Sequence, residues 1–214
     1  MSKVIHIDPE APSAEAINLA ATVLRDGGIV VFPTETVYGI GAAATSCIGP
    51  QEIIDIKMRP ASKPLPWLVE TEDALDTYGV EVPEYAHRLA ARFWPGPLSL
   101  VVKASEKVGK DFRDNRGTVA LRSPDHEVVR ELLAASGGPI IATSANTSGT
   151  DAPGSFREIE ERIIHAADLT LDGGETEHKL ASTVVDCTGP QPVILRDGAI
   201  PASEIAAVAH LQGK

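Results

Sequence analysis

Three short segments of this 214-residue chain gather side chains that bind or transfer polar groups. Residues 57–66, KMRPASKPLP, set Lys57, Arg59 and Lys63 within seven positions, beside prolines that stiffen the backbone. A lysine offers a point charge and an arginine a bidentate fork, the two kinds of cation that suit a polyphosphate. Residues 32–41, FPTETVYGIG, crowd Thr34, Glu35, Thr36 and Tyr38 between Pro33 and Gly39. Residues 140–149, IIATSANTSG, run from an apolar stretch into Thr143, Ser144, Asn146, Thr147 and Ser148. Side chains this small let backbone amides approach a phosphate or carboxylate. Each segment also has a plainer reading: a basic surface loop, a capped turn, and a Ser/Thr-rich helix cap.

The charge balance sharpens the first of these. The chain carries 19 Lys and Arg against 30 Asp and Glu, a formal net charge of −11. That argues against coating nucleic acid by bulk charge, and it leaves room for a local basic cleft. In so acidic a chain, clustered cations point to an anionic ligand. Several familiar architectures are excluded. No GxxxxGK[ST] exists, so a nucleotide would be held without a Walker A loop. Gly39-x-Gly41-x-x-Ala44 has dinucleotide-fingerprint spacing, but it does not follow directly on a strand. GxSxG is absent, and the histidines at 6, 87, 126, 165, 178 and 210 show neither triad nor metal spacing. Two cysteines, Cys47 and Cys187, without a CxxC rule out a disulfide framework. No run of 18 apolar residues supports a membrane span. The opening MSKVIHIDPE lacks the apolar core of a secretory signal, which makes the cytosol the expected location.

The elements that would position these residues alternate along the chain. Helical patterns are expected at 13–26, 50–58, 83–93, about 125–135 and 156–166, with Thr71 capping another and Ser203 the last. Apolar runs at 29–32, 66–69, 98–103, 118–122, 139–143, 168–171, 183–187 and 193–196 read as strands. Thr118 and Arg122 fall on one strand at even spacing, facing the same side. Ser182 opens a strand and Arg196 closes one. At least seven strands interleaved with six or seven helices predict one α/β domain spanning 1–214, a mixed sheet with helices packed on it.

Six motifs in order, FPTETVYGIG, KMRPASKPLP, TVALRSPDH, SAN-x-SG, STVVD and ILRDG, resemble the short form of the YrdC-like threonylcarbamoyl-AMP synthases across residues 29–198. The resemblance implies a twisted sheet, part parallel and part antiparallel, with a concave, locally basic cleft. It implies an adenylate-forming enzyme, a nucleotidyltransferase, that joins L-threonine, bicarbonate and ATP into threonylcarbamoyl-AMP and pyrophosphate. Downstream enzymes would carry the group to tRNA. By position, Thr34, Arg122 and Ser182 would contact threonine, with Tyr38 shaping that pocket. Lys57 and Arg59 would grip the triphosphate as the catalytic cations, joined by Lys63. Thr118, Ser144, Asn146 and Arg196 would complete the ATP site. Mg²⁺ is expected to arrive on the phosphates of ATP. This sequence departs from some relatives at Leu68, where they carry a histidine, and after SAN-x-SG, where TDAPGS lacks an arginine. Two other readings stand beside this one: a carbamoyl-adenylating relative, and an RNA-binding module without the activity.

Overall fold

The computed structural model describes residues 3–45, 51–58 and 65–210. Strand β1 (Lys3–His6) leads into helix α1 (Ala14–Arg25), strands β2 (Val30–Phe32) and β3 (Gly39–Ala43), and helix α2 (Gln51–Lys57). Strand β4 (Trp67–Leu68) precedes helices α3 (Ala74–Tyr78) and α4 (Glu84–Phe93). Then come β5 (Leu98–Lys103), β6 (Thr118–Arg122), α5 (Glu127–Ser136), β7 (Ile140–Ser144) and α6 (Glu161–Ala166). Strands β8 (Leu169–Asp172), β9 (Thr183–Asp186) and β10 (Val193–Arg196) and helix α7 (Ala202–Ala209) close the chain.

Among the described residues, the ten strands share one sheet in the order β1-β8-β2-β3-β7-β4-β6-β5-β9-β10. Pairing is mixed: β1/β8, β2/β8, β4/β6 and β5/β9 run parallel, and the remaining neighbours antiparallel. Alternate residues serve opposite faces. Val31 and Ile141 join one buried cluster, with Leu89 of α4 and Ile205 of α7. Val30, Phe32 and Ile140 join a second cluster, with Leu24 of α1 and Leu132 of α5. The central strands are thus buried on both sides, which explains their continuous apolar runs.

Local chemistry sets the boundaries. Ser13 caps α1 by accepting from the Ala16 amide at 3.3 Å, and Gly27, at φ 88°, ends the following turn in the left-handed region. Strands β5, β6 and β10 match the sequence reading residue for residue. Three differences stand out. Residues 156–166 form a 3₁₀ turn (Phe156–Glu158) and then α6, not one helix. The caps of α3 and α7 fall at Asp73 and Pro201, not at Thr71 and Ser203. Strands β1 and β3 were not foreseen. Sequence GIGAA has low strand propensity, but a Cβ at Gly41 would sit 2.6 Å from the Ile141 carbonyl oxygen. Strand β3 therefore needs glycine to pack edge to edge between β2 and β7. The apparent dinucleotide fingerprint is this strand. Among the described residues, no helix is long and apolar enough to cross a membrane.

Candidate functional site

The mixed pairing brings many strand ends to one place. Strands β2, β4, β6, β7 and β10 end there, and β3, β5 and β9 begin there. Between these ends lies a cavity of about 120 Å³, with Thr34, Tyr38, Arg122, Ser144, Ser182 and Arg196 on its wall. Carboxyl ends of parallel strands are where open α/β sheets bind ligands. Phe32, Val37 and Leu68 supply apolar surface beside these polar groups.

The loop 33–38, between β2 and β3, forms one side. The Thr34 hydroxyl donates to the Val37 carbonyl at 2.7 Å and lies 2.9 Å from the Thr36 hydroxyl. It also accepts from the amides of Thr36 and Val37. That hydroxyl therefore shapes the loop. Tyr38 does the same at longer range: its hydroxyl donates to the Gly174 carbonyl at 2.9 Å and accepts from the Gly173 amide at 3.0 Å. Burial pushes its pKa up to about 12, so it stays protonated at neutral pH.

Arg122, at the end of β6, is buried and held on three sides. Its Nε donates to the Gly96 carbonyl at 3.2 Å, and its Nη2 to Glu35 Oε1 at 2.6 Å and to Thr36 Oγ1 at 3.0 Å. Nη1 has no hydrogen-bond partner among the described residues. Opposite, Arg196 donates from Nε and Nη2 to the Ser182 carbonyl at 3.0 and 2.6 Å, and from Nη2 to Ser182 Oγ at 2.9 Å. The Ser182 hydroxyl lies 3.0 Å from that of Ser99, a buried residue that also lines the cavity.

Lys57, expected on the triphosphate, bonds in this structure to the loop after β7. Its side chain is buried, and Nζ donates to the carbonyls of Ser144 and Asn146, the latter at 2.6 Å, and to Asn146 Oδ1 at 3.0 Å. Ser144 Oγ donates to the same Oδ1 at 2.6 Å. Lysine thus fastens α2 to the loop after β7. The loop's amides are also occupied: Ala145 to the Tyr38 carbonyl, Asn146 to that of Ser144, Ser148 to that of Lys57, and Thr147 to Glu160 Oε1. These four amides thus find their partners within the protein in this structure. Thr118 sits at the other end of β6 from Arg122, buried, with its amide donating to Asp114 at 2.8 Å, and does not line the cavity. Arg59 and Lys63 lie outside the described residues. No group of three or more His, Cys, Asp or Glu is placed to hold a metal ion among the described residues.

Sequence reasoning gave no role to Glu35, Thr36 or Ser99. A polar residue inside the otherwise apolar run LSLVV was a signal for Ser99. Nothing local marked Glu35 as the partner of an arginine 87 residues away.

Known proteins share both the sequence pattern and the fold of this chain. Residues 22–198 match the Sua5_yciO_yrdC family model, which carries the description "Telomere recombination". A threonylcarbamoyl-AMP synthase of Pyrococcus abyssi (strain GE5 / Orsay) is 43% identical over 192 residues, covering 90% of this chain and 56% of that protein. One from Bacillus subtilis (strain 168) is 37% identical over 190 residues, covering 88% and 55%. A crystal structure of P. abyssi Sua5 complexed with L-threonine superposes with a TM-score of 0.91 at 40% identity, over 97% of this chain and 61% of the other. The chain spans about half the length of these two curated relatives.

Proposed function

This chain belongs to the Sua5/YciO/YrdC family, and from that premise we propose that it is an L-threonylcarbamoyladenylate synthase, a nucleotidyltransferase serving tRNA modification in the cytoplasm. One observation carries the proposal. Five segments far apart in sequence bring Thr34, Arg122, Ser144, Ser182 and Arg196 to a single cavity. Its mixed wall, two arginines with hydroxyls and apolar patches, suits a small zwitterion next to an anionic partner.

The reaction needs no covalent enzyme intermediate. The neutral amine of threonine adds to CO₂ derived from bicarbonate and loses a proton, giving an N-carboxylate. A carboxylate oxygen attacks the α-phosphorus of ATP, and pyrophosphate leaves. The chain's contribution is alignment and charge neutralisation. Arg122 would hold the threonine carboxylate through Nη1, the arm with no partner among the described residues. Ser182, fixed by Ser99 and Arg196, would bound the same pocket. Ser144 and Arg196 would face the nucleotide, with Arg59 and Lys63 on its phosphates. Lys57 would act chiefly by holding the Ser144 loop. Mg²⁺ would ride on the phosphates, since the described residues offer it no cage of their own.

Mass spectrometry of products after incubation with L-threonine, bicarbonate and MgATP tests the reading. Threonylcarbamoyl-AMP is expected. ATP turnover without that product, or turnover independent of threonine, would overturn it.

A further inference from the structure

The ion pair between Arg122 and Glu35 is unusual in its burial. The two side chains are 8% and 3% exposed. Two charges withdrawn this far from water gain little net stability, and well-packed apolar residues of similar volume often do as well or better. A stabilising role is thus a weak account of the pair. Its geometry suggests another. Nη2 carries two acceptors, Glu35 Oε1 and Thr36 Oγ1, and Nε carries the Gly96 carbonyl. A planar guanidinium fixed at two nitrogens cannot rotate, and the direction of the third is set. That third nitrogen, Nη1, belongs to a side chain on the cavity wall, whereas Glu35 lies behind it and does not line the cavity. Glu35 itself is anchored: its carbonyl accepts from the His178 amide at 2.8 Å, and its neighbours are held by the Thr34 hydroxyl. Its Oε2 is buried with no hydrogen-bond partner among the described residues, so the carboxylate's observed bond is the one to Arg122.

We propose that Glu35 is a positioning residue: it pins Arg122 from behind so that Nη1 presents a fixed donor to the carboxylate of the bound amino acid. This rests on the function proposed above, and it goes further in assigning a role to Glu35. The ion pair is neutral as a unit, so a carboxylate docked on it gains direction more than bulk attraction. Without the anchor, Arg122 would spread over several rotamers, and the loss would appear in amino-acid binding more than in turnover at saturation.

The test is calorimetric titration of the full chain with L-threonine, combined with threonine-dependent pyrophosphate release, on wild type and three variants. Glu35→Ala is expected to raise the KM for L-threonine at least tenfold, with kcat at saturating threonine within threefold. Glu35→Gln keeps an acceptor for Nη2 and should recover KM to within about threefold of wild type. Glu35→Asp keeps the charge but draws it back by one methylene, and should weaken threonine at least fivefold. If Glu35→Ala does not fold, the Asp and Gln variants decide. A merely structural role would lower the melting temperature and leave KM unchanged. Wild-type threonine affinity in Glu35→Asp overturns the inference alone, and no threonine binding by wild type overturns it together with the function.

Discussion

Strand β6 has an arginine–carboxylate cluster at each end, and the two are built differently. At its end, Arg122 lines the cavity and meets Glu35 in a buried pair, and its Nη1 has no hydrogen-bond partner among the described residues. Just before its start, Arg116 is half exposed and joins Asp114 at 3.1 Å and Asp186 at 2.7 Å. There the carboxylates are filled. Asp114 also accepts from the amides of Arg116 and Thr118, and Asp186 from the amide and hydroxyl of Thr188. The distal cluster closes on itself and ties the turn before β6 to β9. The cavity cluster stays one bond short. Closure suits the structural role of the distal cluster, and the open arm suits the binding role proposed for Arg122. Thr118 belongs to the distal end.

The largest effect expected from breaking this comparison is at Arg122. Arg122→Ala leaves Glu35 buried without its cation, a loss of about 3–5 kcal/mol, and should abolish threonine-dependent pyrophosphate release. A variant as stable as wild type in a thermal melt would contradict it. Lys57→Ala should cut adenylate formation by about 100-fold, because the Ser144 loop loses its fastening, and Arg59→Ala should do so on a similar scale. Near-normal release by Lys57→Ala would show that the loop is held without it. Ser99→Ala removes the hydroxyl beside Ser182, a loss of about 1 kcal/mol, and is expected to raise the KM for threonine severalfold while kcat changes little.

Arg116→Ala should have the smallest effect, about 1 kcal/mol or less, with the KM for threonine unchanged. A threonine defect there would break the division between the two ends. Acid sharpens it. Burial alone would raise the pKa of Asp114 and of Asp186. Hydrogen bonds from Thr118 and Arg116 to the first, and from Thr188 and Arg116 to the second, outweigh burial and hold both below the ordinary carboxylate range. Both are therefore lower folded than unfolded, so their contribution is present above about pH 4, the unfolded value. It is lost as pH falls through the lower folded values. The acid-induced decline in melting temperature should be shallower in Arg116→Ala than in wild type.

Much of the fold was legible because its signals are local. The Ser13 cap, the β-branched run at 98–103 and the turn at Gly137, φ 76°, act within a few residues. Strand β3 was not, because its glycines answer to a backbone approach from β7, about 100 residues on. The order of the motifs singles out Thr34, Tyr38, Arg122, Ser144, Ser182 and Arg196, and one cavity gathers all six. What could not be read was how far each side chain was already engaged. Lys57 reads as a phosphate cation by type and spacing, yet in this structure its Nζ donates to two carbonyls, at the end of β7 and in the loop after it.

From its sequence alone the chain set its alternation of strands and helices, its acidic surface with few cations, and the motif order that marks its family. Tertiary structure alone decided which of those cations line the cavity. Side-chain type fixes what a group can bond, but only the folded arrangement fixes how many of those bonds the protein has already filled, as the contrast between Arg122 and Arg116, at opposite ends of β6, makes plain.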